Sequence, residues 1–124
     1  WGEESQALRS RYLEWTGKPP VPPRKAFGLW VSEYGFESWA EVGDKGKSLR
    51  EKGFPIDGFV LDLQRFGGIE EGSPDSQMGT LTFDLENFPA PAEKIAELAS
   101  RGLGIVVIEE SYIASNLAEF KDLH

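Results

Sequence analysis

The chain has 124 residues, 40% hydrophobic and 27% charged, which suits one small folded domain and excludes a disordered chain. Its net charge of −8 repels phosphate backbones, and its longest apolar run, residues 105–108, is far too short to cross a bilayer, so neither nucleic acid nor a membrane is an expected partner. There is no Cys, and the only His is His124 at the last position, which removes disulfides, thiolate nucleophiles and multi-His metal sites; no metal or cofactor is expected, and chemistry is left to carboxylates, Tyr, Lys and Arg.

The chain begins at Trp1 with no Met, which reads as a processed product, an excised segment or a fragment. Residues 3–15 are predicted helical: Leu8, Tyr12, Leu13 and Trp15 recur near helical spacing, and Gly17 ends the run. Pro19, Pro20, Pro22 and Pro23 force an extended connector. Residues 26–31 form a short apolar strand. Ser38 opens a helix with Glu41 as capping-box partner; Trp39, Val42 and Leu49 face inward, and Gly53 stops it. Residues 58–63 form a second, nearly continuous apolar strand. Residues 67–79 are a Gly-rich acidic loop, and 80–84 read as a short strand with Leu81 and Phe83 inward. Pro91 opens a helix carrying Ile95, Leu98 and Ala99 on one face, with Gly102 after its end. Residues 104–108 make a third strand, and Ser115 caps a last helix through Leu123. Strands alternating with helices, apolar on both faces, indicate an α/β fold with a parallel sheet.

Two glycine motifs fail as nucleotide sites. Glu41-Val42-Gly43-Asp44-Lys45-Gly46-Lys47-Ser48 lacks the first Gly of a phosphate loop and lies inside a predicted helix. Gly102-Leu103-Gly104 precedes a strand instead of following one. The acidic loop lacks calcium-loop spacing. Ligands of α/β proteins collect at the C-terminal ends of parallel strands. Glu33, Asp62, Glu109 and Glu110 stand at such ends. Asp62 interrupts an apolar strand, where an unpaired charge is costly; an ion pair with Arg65 or Arg24 and a role in a polar site are both open. Trp30, Tyr34, Phe36 and Phe66 crowd the same end, and sugar rings stack on such faces while carboxylates bind their hydroxyls. Phe36 reads as core.

These pieces resemble glycoside hydrolase family 31, the α-glucosidase and α-xylosidase group. Leu13 to Gly17 with the proline run is similar to the approach to that family's barrel. Gly28-Leu29-Trp30-Val31-Ser32-Glu33-Tyr34-Gly35-Phe36 resembles its first barrel strand. Phe54-Pro55-Ile56-Asp57 followed by Asp62-Leu63-Gln64-Arg65-Phe66 resembles the second strand and its acidic motif. Phe83-Asp84 with Phe88-Pro89-Ala90-Pro91 resembles the entry to the next helix, and residues 104–113 resemble the third strand. Glu33 departs from the family's frequent Arg. Gln64 and Arg65 replace its second acid and aromatic, and Ser111 stands where Pro commonly follows the acid, here Glu110.

The resemblance implies a partial (β/α)8 TIM barrel of about three βα units: an N-terminal helix and Pro-rich connector over residues 1–23, and the first part of the barrel over 24–124. A whole barrel needs eight strands and roughly 250 residues. The implied parent reaction is retaining hydrolysis of an α-glycoside, with a nucleophile and a general acid that both lie on later strands, so no residue of this chain inherits a catalytic role. Asp62 matches a position that binds sugar hydroxyls where cleavage occurs. The candidate substrate-binding residues are Asp62, Trp30, Glu110 and Tyr34. The expected partners are a carbohydrate and either the remainder of the barrel or a second copy, because an interior face lined by Val31, Leu61 and Val107, or their strand neighbours, would otherwise stay uncovered. A free-standing α/β binding or interaction module derived from such a barrel is the alternative, and an excised or shuffled barrel segment a third reading.

Overall fold

The computed structural model describes residues 4–68, 77–109 and 111–122. The first helix, α1 (Ser5–Thr16), ends at Gly17, whose φ of 79° lies in the region that favours glycine. No residue of α1 is buried, and Tyr12 and Trp15 stand in solvent. Glu3, expected in its first turn, lies outside the described residues. After the extended proline run, the Pro23 carbonyl accepts the Ala26 N–H at 2.9 Å and closes a 3-10 turn over Arg24–Phe27. The turn takes up residues expected to begin a strand. Strand β1 is Leu29–Glu33, two to three residues later than the sequence suggested.

A bulge explains the offset. Along strand β2 (Ile56–Leu61), Leu29 pairs with Ile56 but Trp30 pairs with Gly58, so Asp57 is an extra residue. The Asp57 Oδ2 accepts the Leu29 N–H at 3.1 Å and so satisfies a donor beside the irregular register. Gly28 leaves room there, because a Cβ would collide with the Asp57 carboxylate and displace it.

Helix α2 (Trp39–Glu51) follows the expected signals. The Ser38 hydroxyl accepts the Glu41 N–H at 3.3 Å, the Glu41 carboxylate accepts the Glu37 N–H at 2.8 Å, and Gly53 turns the chain at φ 82°. The Glu41 to Ser48 stretch is thus helical. Helix α3 (Pro91–Ser100) starts on proline and is followed by Gly102 at φ 78°; strand β3 (Gly104–Val107) then begins. Ile95 and Leu98 pack inward, whereas Ala99, expected beside them, is exposed. The last helix, α4 (Ala118–Asp122), is shorter than expected because the Leu117 N–H closes a turn onto the Ala114 carbonyl before it; Leu123 lies outside the described residues.

The three strands are parallel in the order β1-β2-β3. Side chains alternate across the sheet. Phe59 and Leu61 face the helices, fully buried with Trp39, Val42, Leu98 and Leu103 in one cluster. Phe36 meets Phe59 edge-on at 5.3 Å, and Phe88 meets Trp39 edge-on at 5.1 Å. Register places Val31 and Val107 on this covered side with Leu61. The opposite face carries Trp30, Gly58 and Gly104 in one row and Ser32, Val60 and Val106 in the next. The strand neighbours, not Val31, Leu61 and Val107 themselves, therefore form the uncovered face.

Residues 80–84 make no strand. Thr80 is buried and Leu81 is 75% exposed, the reverse of the expected alternation, while Phe83 stacks on Trp39 at 5.9 Å. The backbone here has no strand neighbour among the described residues. It bonds Arg65 instead: the Thr82 carbonyl accepts from Nη1 at 2.9 Å, and the Asp84 N–H donates to the Arg65 carbonyl at 2.7 Å.

Candidate functional site

The site is built where the sheet's strands end. Leu61 is buried against the helices, and Asp62 continues the extended backbone for one residue (φ −92°, ψ −159°), so its carboxylate lies on the opposite, uncovered side. Asp62 is half-buried and caps the 3-10 turn Leu63–Phe66: its Oδ1 accepts the Leu63 N–H at 2.8 Å. Among the described residues it has no ion pair, so neither Arg65 nor Arg24 neutralises it.

Arg65 turns away from Asp62. It is 1% exposed, its Nη1 donates to the Thr82 carbonyl at 2.9 Å and its Nη2 to the Ile108 carbonyl at 3.2 Å, and it forms a salt bridge with Glu109. Its guanidinium lies 5.0 Å from the Phe66 ring centre and 5.6 Å from that of Phe83. Burial pulls its pKa below the ordinary arginine value. Glu109, one of the strand-end acids of the sequence, is thus the counter-ion of a buried charge. Glu33 at the end of β1 pairs with Lys45 of α2 at 3.2 Å.

The remaining candidates separate. Trp30 is the second residue of β1 and pairs with Gly58, four positions before Asp62, or about 13 Å at 3.3 Å per residue. Its indole lies over Gly58 and Gly104, and its Nε1 donates to the Lys25 carbonyl at 2.7 Å. It fills the N-terminal floor of the uncovered face, whereas Asp62 stands at the C-terminal rim. Tyr34, in the turn after β1, is at the rim end and 66% exposed. Glu110 lies outside the described residues. A cleft of about 390 Å³ beside Glu109, floored by Leu81 and Ile113, contains none of Asp62, Trp30 and Tyr34. Among the described residues no group of three His, Cys, Asp or Glu side chains could hold a metal ion, and no helix is long and apolar enough to cross a membrane.

Asp57 and the role of Arg65 were missed by sequence reasoning. A charge between Leu63 and Phe66 was the visible signal for Arg65, but its partners lie 17 to 44 residues away and gave none.

A parallel sheet with helices on one face and a carboxylate at the end of its central strand is the arrangement of a barrel wall. Residues 19–124 match the Glycosyl hydrolases family 31 TIM-barrel domain. The chain belongs to glycoside hydrolase family 31. Over 107 residues this family 31 chain is 30% identical to alpha-glucosidase 2 of Bacillus thermoamyloliquefaciens, a match covering 86% of this chain and 12% of that protein. Over 123 residues it is 25% identical to an alpha-xylosidase of Saccharolobus solfataricus, covering 99% of this chain and 16% of that protein. Its fold superposes on the family 31 dextranase of Flavobacterium johnsoniae complexed with glucose with a TM-score of 0.76 at 20% identity, covering 98% of this chain and 14% of that one. The chain therefore spans 12–16% of the length of these three proteins.

Proposed function

We propose that this chain forms about three βα units of a (β/α)8 barrel that hydrolyses α-linked carbohydrate with retention, and that it contributes barrel wall and part of the sugar pocket. The observation that carries the reading is Asp62: a half-buried carboxylate without an ion pair among the described residues, at the C-terminal end of the central strand and on the uncovered face. A carboxylate accepts hydrogen bonds from sugar hydroxyls, and C-terminal strand ends are where barrel enzymes place their sites. The exposed Tyr34 at the same end offers a stacking face, and Glu110 stays a candidate through the family resemblance alone. The relatives named above are a glucosidase, a xylosidase and a dextranase, which supports a carbohydrate substrate.

Retaining hydrolysis needs one carboxylate to attack and another to protonate the leaving oxygen, the two about 5 Å apart. In this reading neither belongs to the chain; both come from other strands of the barrel. The partners of the piece are then the carbohydrate and the remainder of the barrel, or a second copy that covers the same face.

Titration of the isotope-labelled chain with glucose and with xylose, followed by NMR, tests this. Resonances of Asp62, Leu63 and Tyr34 are expected to move. Asp62→Ala is expected to weaken the interaction by about 1.5–3 kcal/mol, the worth of a hydrogen bond to a charged group. Unchanged affinity in that variant removes Asp62 from the site. The pure chain is expected to release no nitrophenol from aryl α-glucosides or α-xylosides. Turnover that disappears in Asp62→Ala would overturn the assignment of catalysis to other strands.

A further inference from the structure

Arg65 is the deepest charge among the described residues, and its bonds reach three separate stretches of the C-terminal rim. Its own turn, Leu63–Phe66, begins at Asp62, whose carbonyl accepts the Arg65 N–H at 3.1 Å. The 80–84 segment is held twice, by Nη1 on the Thr82 carbonyl at 2.9 Å and by the Asp84 N–H on the Arg65 carbonyl at 2.7 Å. The end of β3 is held by Nη2 on the Ile108 carbonyl at 3.2 Å and by the salt bridge to Glu109. The guanidinium itself is buried, close to the Phe66 and Phe83 rings, where hydrogen bonds to a charge are strong, while its Glu109 partner stays partly exposed.

We propose that Arg65 is a positioning residue for the sugar pocket: it fixes the turn that presents the Asp62 carboxylate by tying that turn to the 80–84 segment and to the end of β3. A planar guanidinium suits the task because its separate N–H groups diverge toward several acceptors. An aromatic or aliphatic side chain fills the space but ties nothing, and the single ammonium of Lys does not span the Thr82 carbonyl, the Ile108 carbonyl and Glu109 together. The pocket's use of this device rests on the reading of Asp62 as a sugar contact. The mechanical part does not.

The test is amide hydrogen exchange of the whole chain, with the Leu63 N–H as reporter of the Asp62 carboxylate. In the unmodified chain, Leu63, whose N–H is on the Asp62 carboxylate, and Asp84, whose N–H is on the Arg65 backbone carbonyl, are expected to exchange with the same protection, because the guanidinium ties their two segments together although they lie 21 positions apart. In Arg65→Met combined with Glu109→Gln, Leu63 is expected to exchange at least tenfold faster while amides of β2 stay protected, and Arg65→Lys is expected to move it in the same direction. A merely structural Arg65 would lower the protection of β2 and of Leu63 together. Independent exchange of Leu63 and Asp84 in the unmodified chain overturns the proposal even if no variant folds, and so does an unchanged Leu63 in a folded variant. Glucose and xylose titrations of the same samples separate the two readings. Release of Leu63 without any sugar binding by the unmodified chain sustains the positioning role and ends the assignment of Asp62 to a sugar site.

Discussion

Arg65 and Glu109 are an unequal pair: the arginine side chain is 1% exposed and the glutamate 34%. Removing the partner of a buried charge costs about 3–5 kcal/mol, because the remaining charge stays in low dielectric. Glu109→Gln is therefore expected to lower stability, but by less than that, because the glutamate is itself a third exposed and water screens the pair; urea unfolding measures it. Arg65→Met with Glu109→Gln removes both charges and the uncompensated Nε, which has no hydrogen-bond partner among the described residues. The double variant is expected to recover most of the loss; a double variant as unstable as Glu109→Gln would contradict the pairing. Depression of the Arg65 pKa by burial leaves the guanidinium charged across the physiological range, so this side of the pair is no pH switch. A second residue-scale case is the floor of the uncovered face. A Cβ at Gly104 would stand 2.5 Å from the Trp30 ring. Gly104→Ala is expected to cost about 1–3 kcal/mol by overpacking, and thermal unfolding of the variant at an unchanged midpoint would show that the ring gives way freely.

Helix α2 shows both edges of what local sequence specifies. Its cap is local: Ser38→Ala is expected to cost about 1 kcal/mol. Its glycines are not equivalent. A Cβ at Gly46 would stand 3.4 Å from the Phe59 ring, whereas a Cβ at Gly43 would meet nothing within 4 Å among the described residues. Gly43→Ala is therefore expected to stabilise by up to about 1 kcal/mol, with Gly46→Ala gaining less; urea midpoints order the two. In helix α3, Glu97 bonds Lys94 at 2.8 Å and Arg101 at 3.3 Å. The hydrogen bond from Lys94 and its charge hold the Glu97 pKa below the usual glutamate value. A depressed carboxylate pKa stabilises above the unfolded pKa and loses its contribution as pH falls through the folded one. The group is exposed, so the effect is small and screened by salt; acid titration in low and in high salt is expected to show it only in low salt. Caps and stops of this kind were legible, because Ser38, Pro91, Gly53 and Gly102 act on their own neighbours. The start of β1 and the form of residues 80–84 were not. The first depends on a bulge at Asp57, 28 residues from Leu29, and the second on hydrogen bonds to Arg65.

At the scale of the molecule, the α/β class could be read from the alternation of strands and helices, whereas the side of the sheet taken by Asp62 required the burial of Leu61 and the split between Trp30 and Asp62 required the register with Gly58. The same register leaves Trp30, Ser32, Val60 and Val106 on a face that no helix among the described residues covers, with Val106 45% exposed. On either side, β1 and β3 each pair with a strand on one edge only among the described residues. Parallel sheets are stable when both faces are covered, and open edges are templates for further pairing. The net charge of −8 opposes loose aggregation but not a packed interface. The isolated chain is therefore expected to associate at micromolar concentration, through this face and these edges, or to bind dyes that report exposed apolar surface. Sedimentation combined with dye fluorescence measures both. Val106→Lys sharpens the test, because a charge at the centre of the uncovered face should dissociate such an assembly while leaving the helix-covered core intact. A cooperative 13.8 kDa monomer that binds no dye would show instead that the chain completes its own surface, as a free-standing module must.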